Sequence, residues 1–228
     1  MGIVMLPLGF QVVAWISLVG ALLCAAGLAI EVVRNPQKMA VMNWVWPITA
    51  LYAGPLAVWA YWRYGRSASR AAMAEGGMAE RPFWAVVLVG STHCGAGCTL
   101  GDIISEAAIF LGGFTIAGST LGAEYLGDYV LAYVLGIAFQ YFAIVPMRGL
   151  SFGPGLWAAI KADTLSLTAF EIGLFGWMAL MSFVLFHPQL AANEPVYWFM
   201  MQIGMLIGFA TSYPMNWWLI RRGIKEAM

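Results

Sequence analysis

The sequence predicts an all-α, polytopic membrane protein with six transmembrane helices, and three observations predict it. Of 228 residues, 62% are hydrophobic and 10% charged, whereas a soluble domain carries about a quarter charged residues. The mean hydropathy is +0.80. The apolar residues fall in runs long enough to cross hydrocarbon, about 20 residues each.

Taken in order, segment one runs roughly from Leu6 to Val33 and closes on Arg34 and the helix stop Asn35-Pro36. Segment two runs roughly from Ala40 to Tyr64, with Trp44, Trp46, Trp59, Tyr61 and Trp62 as interfacial aromatics at its ends. Residues 65–82 are the one clearly polar connection. Segment three runs from Phe83 towards Ala117, too long for one perpendicular crossing, so it tilts, protrudes or breaks near its glycines. Segments four, five and six are roughly Tyr125–Met147, Trp157–Phe186 and Val196–Ile220. The chain thus divides into an N-terminal two-helix hairpin (1–64), a cytoplasmic loop (65–82) and a four-helix membrane core (83–228).

Threading six crossings puts Arg63, Arg66, Arg70, Arg81, Arg148, Lys161, Arg221, Arg222 and Lys225 on one side. Arg34, Lys38, Glu124, Asp128 and Glu194 fall on the other. The positive-inside rule then makes both termini cytoplasmic. No Lys or Arg precedes Arg34, which argues against a cleaved signal peptide. Net charge is zero and no basic cluster is dense enough for nucleic acid, so the expected partner is the lipid bilayer, with a homo-oligomer or a larger membrane complex as further expectations. No GxSxG, Walker loop or dinucleotide fingerprint occurs, and no catalytic residue is assigned.

Cys98-Thr99-Leu100-Gly101-Asp102-Ile103-Ile104-Ser105-Glu106 aligns without gaps to Asp163-Thr164-Leu165-Ser166-Leu167-Thr168-Ala169-Phe170-Glu171. Phe142-Ala143-Ile144-Val145-Pro146-Met147 and Phe209-Ala210-Thr211-Ser212-Tyr213-Pro214-Met215 follow in the same order. Two readings stand side by side. Segments three-four and five-six are parallel copies of one hairpin, or the match is chance within a small apolar alphabet.

The chemistry concentrates in segment three. Residues at i and i+4 share a helix face, so Cys94, Cys98, Asp102 and Glu106 form one stripe, with His93 beside its first member. An ionisable group inside a membrane marks a functional site by default. Imidazole, thiol and carboxylate together suit a transition metal, copper, zinc or iron, and His93, Cys94, Cys98, Asp102 and Glu106 are its expected ligands. Asp163, Thr164 and Glu171 on segment five and Asn216 on segment six are expected to bind a cofactor beside them. Gly95, Gly97 and Gly101 allow a close helix approach or local unwinding.

Each group also has a plain structural reading. A lone buried Cys is a small hydrophobe, and Cys24 is read so. The 14 methionines include Met178, Met181, Met200, Met201 and Met205, read as gap-filling rather than thioether ligands. Trp217 and Trp218 belong to an interfacial belt, and His187 to a solvated outer loop. All three cysteines lie in apolar segments and leave the redox compartment open.

The runs His93-Cys94-x-x-Gly97-Cys98-x-x-Gly101-Asp102, Ala162-Asp163-Thr164-x-Ser166-x-Thr168-x-x-Glu171 and Pro214-x-Asn216-x-Trp218-Leu219-Ile220-x-x-Gly223 resemble a bacterial membrane family, the domain-of-unknown-function family numbered 4396. The resemblance covers about residues 84–225. It implies an integral membrane protein of bacteria and transfers no activity; the expected location is the bacterial cytoplasmic (inner) membrane. Its pattern uses His93, Cys94, Cys98, Asp163, Thr164, Glu171, Pro214 and Asn216.

The functional expectation is a transition-metal-binding membrane protein, a transporter or metal-handling protein. Two alternatives stay open. One is a membrane thiol redox enzyme cycling Cys94 and Cys98. The other is a non-catalytic accessory subunit of a larger membrane complex.

Overall fold

The structure, a computed structural model, describes residues 7–75, 81–187 and 189–227. The expected start of segment one at Leu6, part of the polar loop (76–80) and the Pro188 that follows His187 lie outside the described residues. Among the described residues there is no strand. The helices are α1 (Leu8–Arg34), α2 (Met42–Ala53), α3 (Pro55–Ala60), α4 (Arg70–Glu75), α5 (Phe83–Gly112), α6 (Thr120–Arg148), α7 (Phe152–Leu180) and α8 (Pro195–Arg221). Wider π-type turns at Tyr61–Gly65 and Met181–Leu185 extend α3 and α7.

Four of these are long and apolar enough to cross a membrane: α1, α5, α6, and α7 with its extension to Leu185. Their outward faces carry Leu22, Leu23, Phe110, Val134 and Phe183, all exposed, which suits contact with lipid. α8 has 27 residues but exchanges apolar positions for Gln202, Ser212, Pro214 and Asn216, which lowers its hydropathy.

The second apolar segment is not one helix. Gly54 adopts φ 52 and ψ −125, a backbone region that glycine reaches without a Cβ clash, and Pro55 then starts α3. Pro55 has no N–H to offer the Leu51 carbonyl, its partner in a continuous helix. The Gln202 side-chain amide donates there instead, at 2.7 Å.

Past the break the chain doubles back. The Tyr61 ring packs edge-on against Trp46 with centroids 5.5 Å apart, where a straight helix would separate the two residues by about 22 Å. Both side chains are wholly buried, so these two are core residues and not the expected interfacial aromatics. Trp44, Trp59 and Trp62 remain exposed.

The hairpin therefore begins and ends at the same end of the bundle. Lys38 N–H donates to the Ala68 carbonyl at 3.0 Å and Arg70 N–H to that of Pro36 at 2.8 Å. Arg66 pairs with Glu31 at 3.4 Å. Phe10, at the start of α1, packs instead against Phe186 and Phe199 at the far end. The first and last described residues thus lie at opposite ends of the bundle, which corrects the expectation that both termini share a side. Arg34 and Lys38 join the other basic residues, so all eleven Lys and Arg side chains belong to one half of the bundle, hereafter its basic end.

α5 is the central helix and packs against α2, α6, α7 and α8. Val89 through Thr99 are buried without interruption. Its 30 residues form one unbroken helix, about 45 Å long, so of the three alternatives for segment three, tilting, protruding or breaking, the break at the glycines does not occur. The glycines serve close approach. A Cβ on Gly97 would lie 2.5 Å from Gly136 Cα, and one on Gly101 would strike the Ala132 backbone.

Candidate functional site

These glycine contacts fix the register of α5 against α6: Gly101 opposite Ala132, Gly97 opposite Gly136. One turn further, His93 comes level with Gln140. In the other direction Ser105 meets Gly127, next to Asp128. The four-residue spacing of Asp128, Ala132, Gly136 and Gln140 puts all four on the face of α6 that meets α5, and all four are buried. Polar groups consequently stack along α5 in three levels.

The middle level is the thiol pair. Cys94 and Cys98 are free and wholly buried. The Cys98 thiol lies against Cys94 and against the Glu171 carboxyl of α7. The tip of the α2–α3 hairpin closes this level from the other side. Tyr52 Oη would meet a Cβ on Gly95 at 2.6 Å, and it has no hydrogen-bond partner. Gly95 thus admits the phenol to the thiols' helix.

The far level is acidic. Asp102 and Glu106 extend the α5 stripe, Asp128 enters from α6, Glu171 from α7, and Tyr197 brings its hydroxyl beside Glu106 from α8. All four carboxyl side chains are at most 3% exposed. Neither carboxyl oxygen of Asp102 has a hydrogen-bond partner, and Glu171, Asp128 and Glu106 face only the neutral Cys98 thiol and the hydroxyls of Ser105 and Tyr197. The ion pairs of the described residues do not include these four carboxyls. Buried charge of this density requires neutralisation by protons or by a bound cation. Asp128 was expected in an outer loop; its place in the α6 spacing pattern is the signal that would have found it.

The level towards the basic end is mixed. Asp163 accepts from Ser166 Oγ at 2.9 Å and pairs with Lys225 Nζ at 3.1 Å. His93 feels the same ammonium. Asn216 donates its amide to the Ser212 carbonyl at 3.0 Å, and so does not satisfy the Ala210 carbonyl that Pro214 leaves without a partner. Lys225 and Gln140 went unrecognised in the sequence. Lys225 reads there as one more topology-setting charge.

The expected ligand set is therefore spread out. His93, the thiol pair, and Asp102 with Glu106 occupy three successive levels. Among the described residues no three His, Cys, Asp or Glu side chains converge to hold a metal ion. Thr164 sits outside the column, bonded to Ile160 O at 2.7 Å and to Tyr133 Oη at 3.1 Å. Cys24 is half-buried in α1, away from the pair. The methionines Met178, Met181, Met200, Met201 and Met205 pack in the apolar core. His187 is exposed in the α7–α8 connection.

Two adjacent thiols suffice for one chemistry in particular. Tetrahedral zinc asks for four ligands, whereas soft copper(I) is selected by thiolates. A disulfide would need the intact α5 turn between Cys94 and Cys98 to distort, because Cβ vectors one turn apart run nearly parallel.

A family model described as domain of unknown function (DUF4396) matches residues 83–225, from the first residue of α5 to Lys225. No curated protein and no solved structure matches the chain.

Proposed function

The chain belongs to the DUF4396 family, and we propose that it binds a soft transition-metal ion within the membrane and moves it along α5. Copper(I) suits the donors best. The observation that carries this reading is the wholly buried thiol pair, Cys94 and Cys98, set between the acidic level and the mixed level. The carboxyls of Asp102, Glu106, Asp128 and Glu171 would attract and partly dehydrate a cation from the far side. The thiols would hold it, and the His93 level would pass it on. The column from the acidic level to the basic end is the feature that favours movement over storage.

In this reading α1, α5, α6, α7 and α8 cross the membrane, and α2–α3 is a re-entrant hairpin whose tip lines the path. Irregular backbone at membrane depth is tolerated where protein or a cavity covers it, as at Gly54. By the positive-inside rule the basic end faces the bacterial cytoplasm, with the start of α1 on the opposite side. α5–α6 and α7–α8 would then be parallel copies of one hairpin.

The test is elemental analysis of protein purified in mild detergent without chelator, beside Cys94→Ser/Cys98→Ser. Near-stoichiometric copper that disappears in the double variant is the expected result. Absence of metal from both samples would overturn the reading and favour an accessory subunit.

A further inference from the structure

Lys225 follows α8 in a tail whose neighbours Arg222, Gly223 and Ala227 are exposed, yet its own side chain is wholly buried. The local cause is a glycine turn. Gly223, at φ 68, reverses the chain, and Gly223 and Ile224 N–H close on the Ile220 and Leu219 carbonyls, both at 3.0 Å. This aims Lys225 back into the bundle, and an ion pair between Arg148 and Glu226 holds the tail from outside.

The ammonium reaches Asp163 Oδ1 at 3.1 Å and Ser166 Oγ at 3.4 Å. At this end of α5 polar capacity is far from used: Gln140 stands level with His93, and Asn216 lies one helical turn inward of Ile220, whose side chain meets Gly90. Asp163 Oδ2, both His93 nitrogens, both ends of the Gln140 amide and Asn216 Oδ1 have no hydrogen-bond partner. Each of these side chains is at most 1% exposed. Closing a helix end needs only apolar side chains, and burying an ammonium beside unfilled donors and acceptors is the costlier solution.

We infer that Asp163, Ser166, His93, Gln140 and Asn216 form an inner cation site, and that Lys225 occupies it as a tethered substitute for the ion. The inference rests on the proposed function and adds the control of its inner exit. A monovalent cation arriving from the thiol pair displaces Lys225, one positive charge replacing another. The tail then swings out and opens the basic end. With the ion gone, Lys225 returns and closes it.

Two measurements test this, and only the second needs metal. The first is the rate at which a membrane-impermeant maleimide, applied at the basic end, labels Cys94 and Cys98 in a Cys24→Ser background. Asp163→Asn/Lys225→Met abolishes the ion pair without stranding either charge, and labelling should rise at least tenfold. The second uses the unmutated chain: silver(I), a redox-inert stand-in for copper(I), should speed hydrogen exchange over residues 222–227. Unchanged labelling, or unchanged exchange once elemental analysis has found silver bound, overturns the inference. Faster labelling in a protein that binds no silver would leave the gate standing and remove the metal reading.

Discussion

Lys38 and Ala68 are joined through their backbones, N–H to carbonyl at 3.0 Å, although an apolar stretch long enough to cross a membrane separates them. That bond ties the start of the α2–α3 hairpin to its end. It also brings Arg34 and Lys38 to the end of the bundle that holds the remaining nine basic residues. Cysteines introduced at Asn35 and Ser67 should both resist an impermeant maleimide in intact cells and react after lysis. One introduced at Asn193 should react in intact cells. Labelling of Asn35→Cys in intact cells would mean that the hairpin crosses.

The reversal depends on Gly54. Gly54→Ala places a Cβ on a backbone at φ 52, ψ −125, which should cost about 1–3 kcal/mol and lower the Tm in detergent. Gly20→Ala, in a helix with open space around it, should change the Tm little. Equal effects would show that the Gly54 geometry is not required.

The contact between α5 and α6 is equally demanding. A Cβ on Gly97 would lie 2.5 Å from Gly136 Cα and 2.8 Å from Gly136 N, and backbone cannot rotate away as a side chain can. Gly97→Ala should destabilise by about 1–3 kcal/mol. It should also reduce bound metal, although Gly97 offers no ligand, because it shifts the thiol pair against Glu171. Full metal content at reduced stability would separate the site from the helix contact.

At the acidic level, Asp102→Asn and Glu171→Gln keep volume and remove charge. Asp102 makes no hydrogen bond that the substitution would break, the amide introduced at Glu171 can still face the Cys98 thiol, and crowded buried carboxyls gain little from one another. Stability should therefore hold or rise. Uptake of radiolabelled copper by proteoliposomes should fall at least tenfold, and undiminished uptake would remove the carboxyls from the path.

Asp163 and Lys225 should behave as a pair. Asp163→Asn alone leaves a buried ammonium without its counter-charge, a change that costs about 3–5 kcal/mol. Adding Lys225→Met should recover most of the loss. A double-mutant cycle on Tm measures the coupling, and additive losses would mean that the two side chains do not depend on each other.

Much of this was legible in the chain. The α6, α7 and α8 helices begin and end within about six residues of the expected segments, because Gly149 ends α6 in a left-handed cap and Pro195 opens α8 at its first turn. The i, i+4 stripe of Cys94, Cys98, Asp102 and Glu106 faces inward as its spacing requires. Asp128 and Gln140 were missed because an acidic residue near a helix start and a lone amide look like surface polarity. Their partners on α5 are more than twenty residues away.

The sequence by itself determined that the chain is helical with runs apolar enough to cross a membrane, and which face of α5 carries thiols and carboxylates, since composition and a 3.6-residue period are local properties. Only the tertiary structure decided that the second segment turns back at Gly54, that the first and last described residues lie at opposite ends of the bundle, and that Lys225 points inward. A Gly-Pro step inside an apolar run is compatible with a kink or a reversal, and a tail lysine with solvent or burial. The choice is made by distant groups, Trp46 against Tyr61 and Asp163 against Lys225, that meet only when the helices pack.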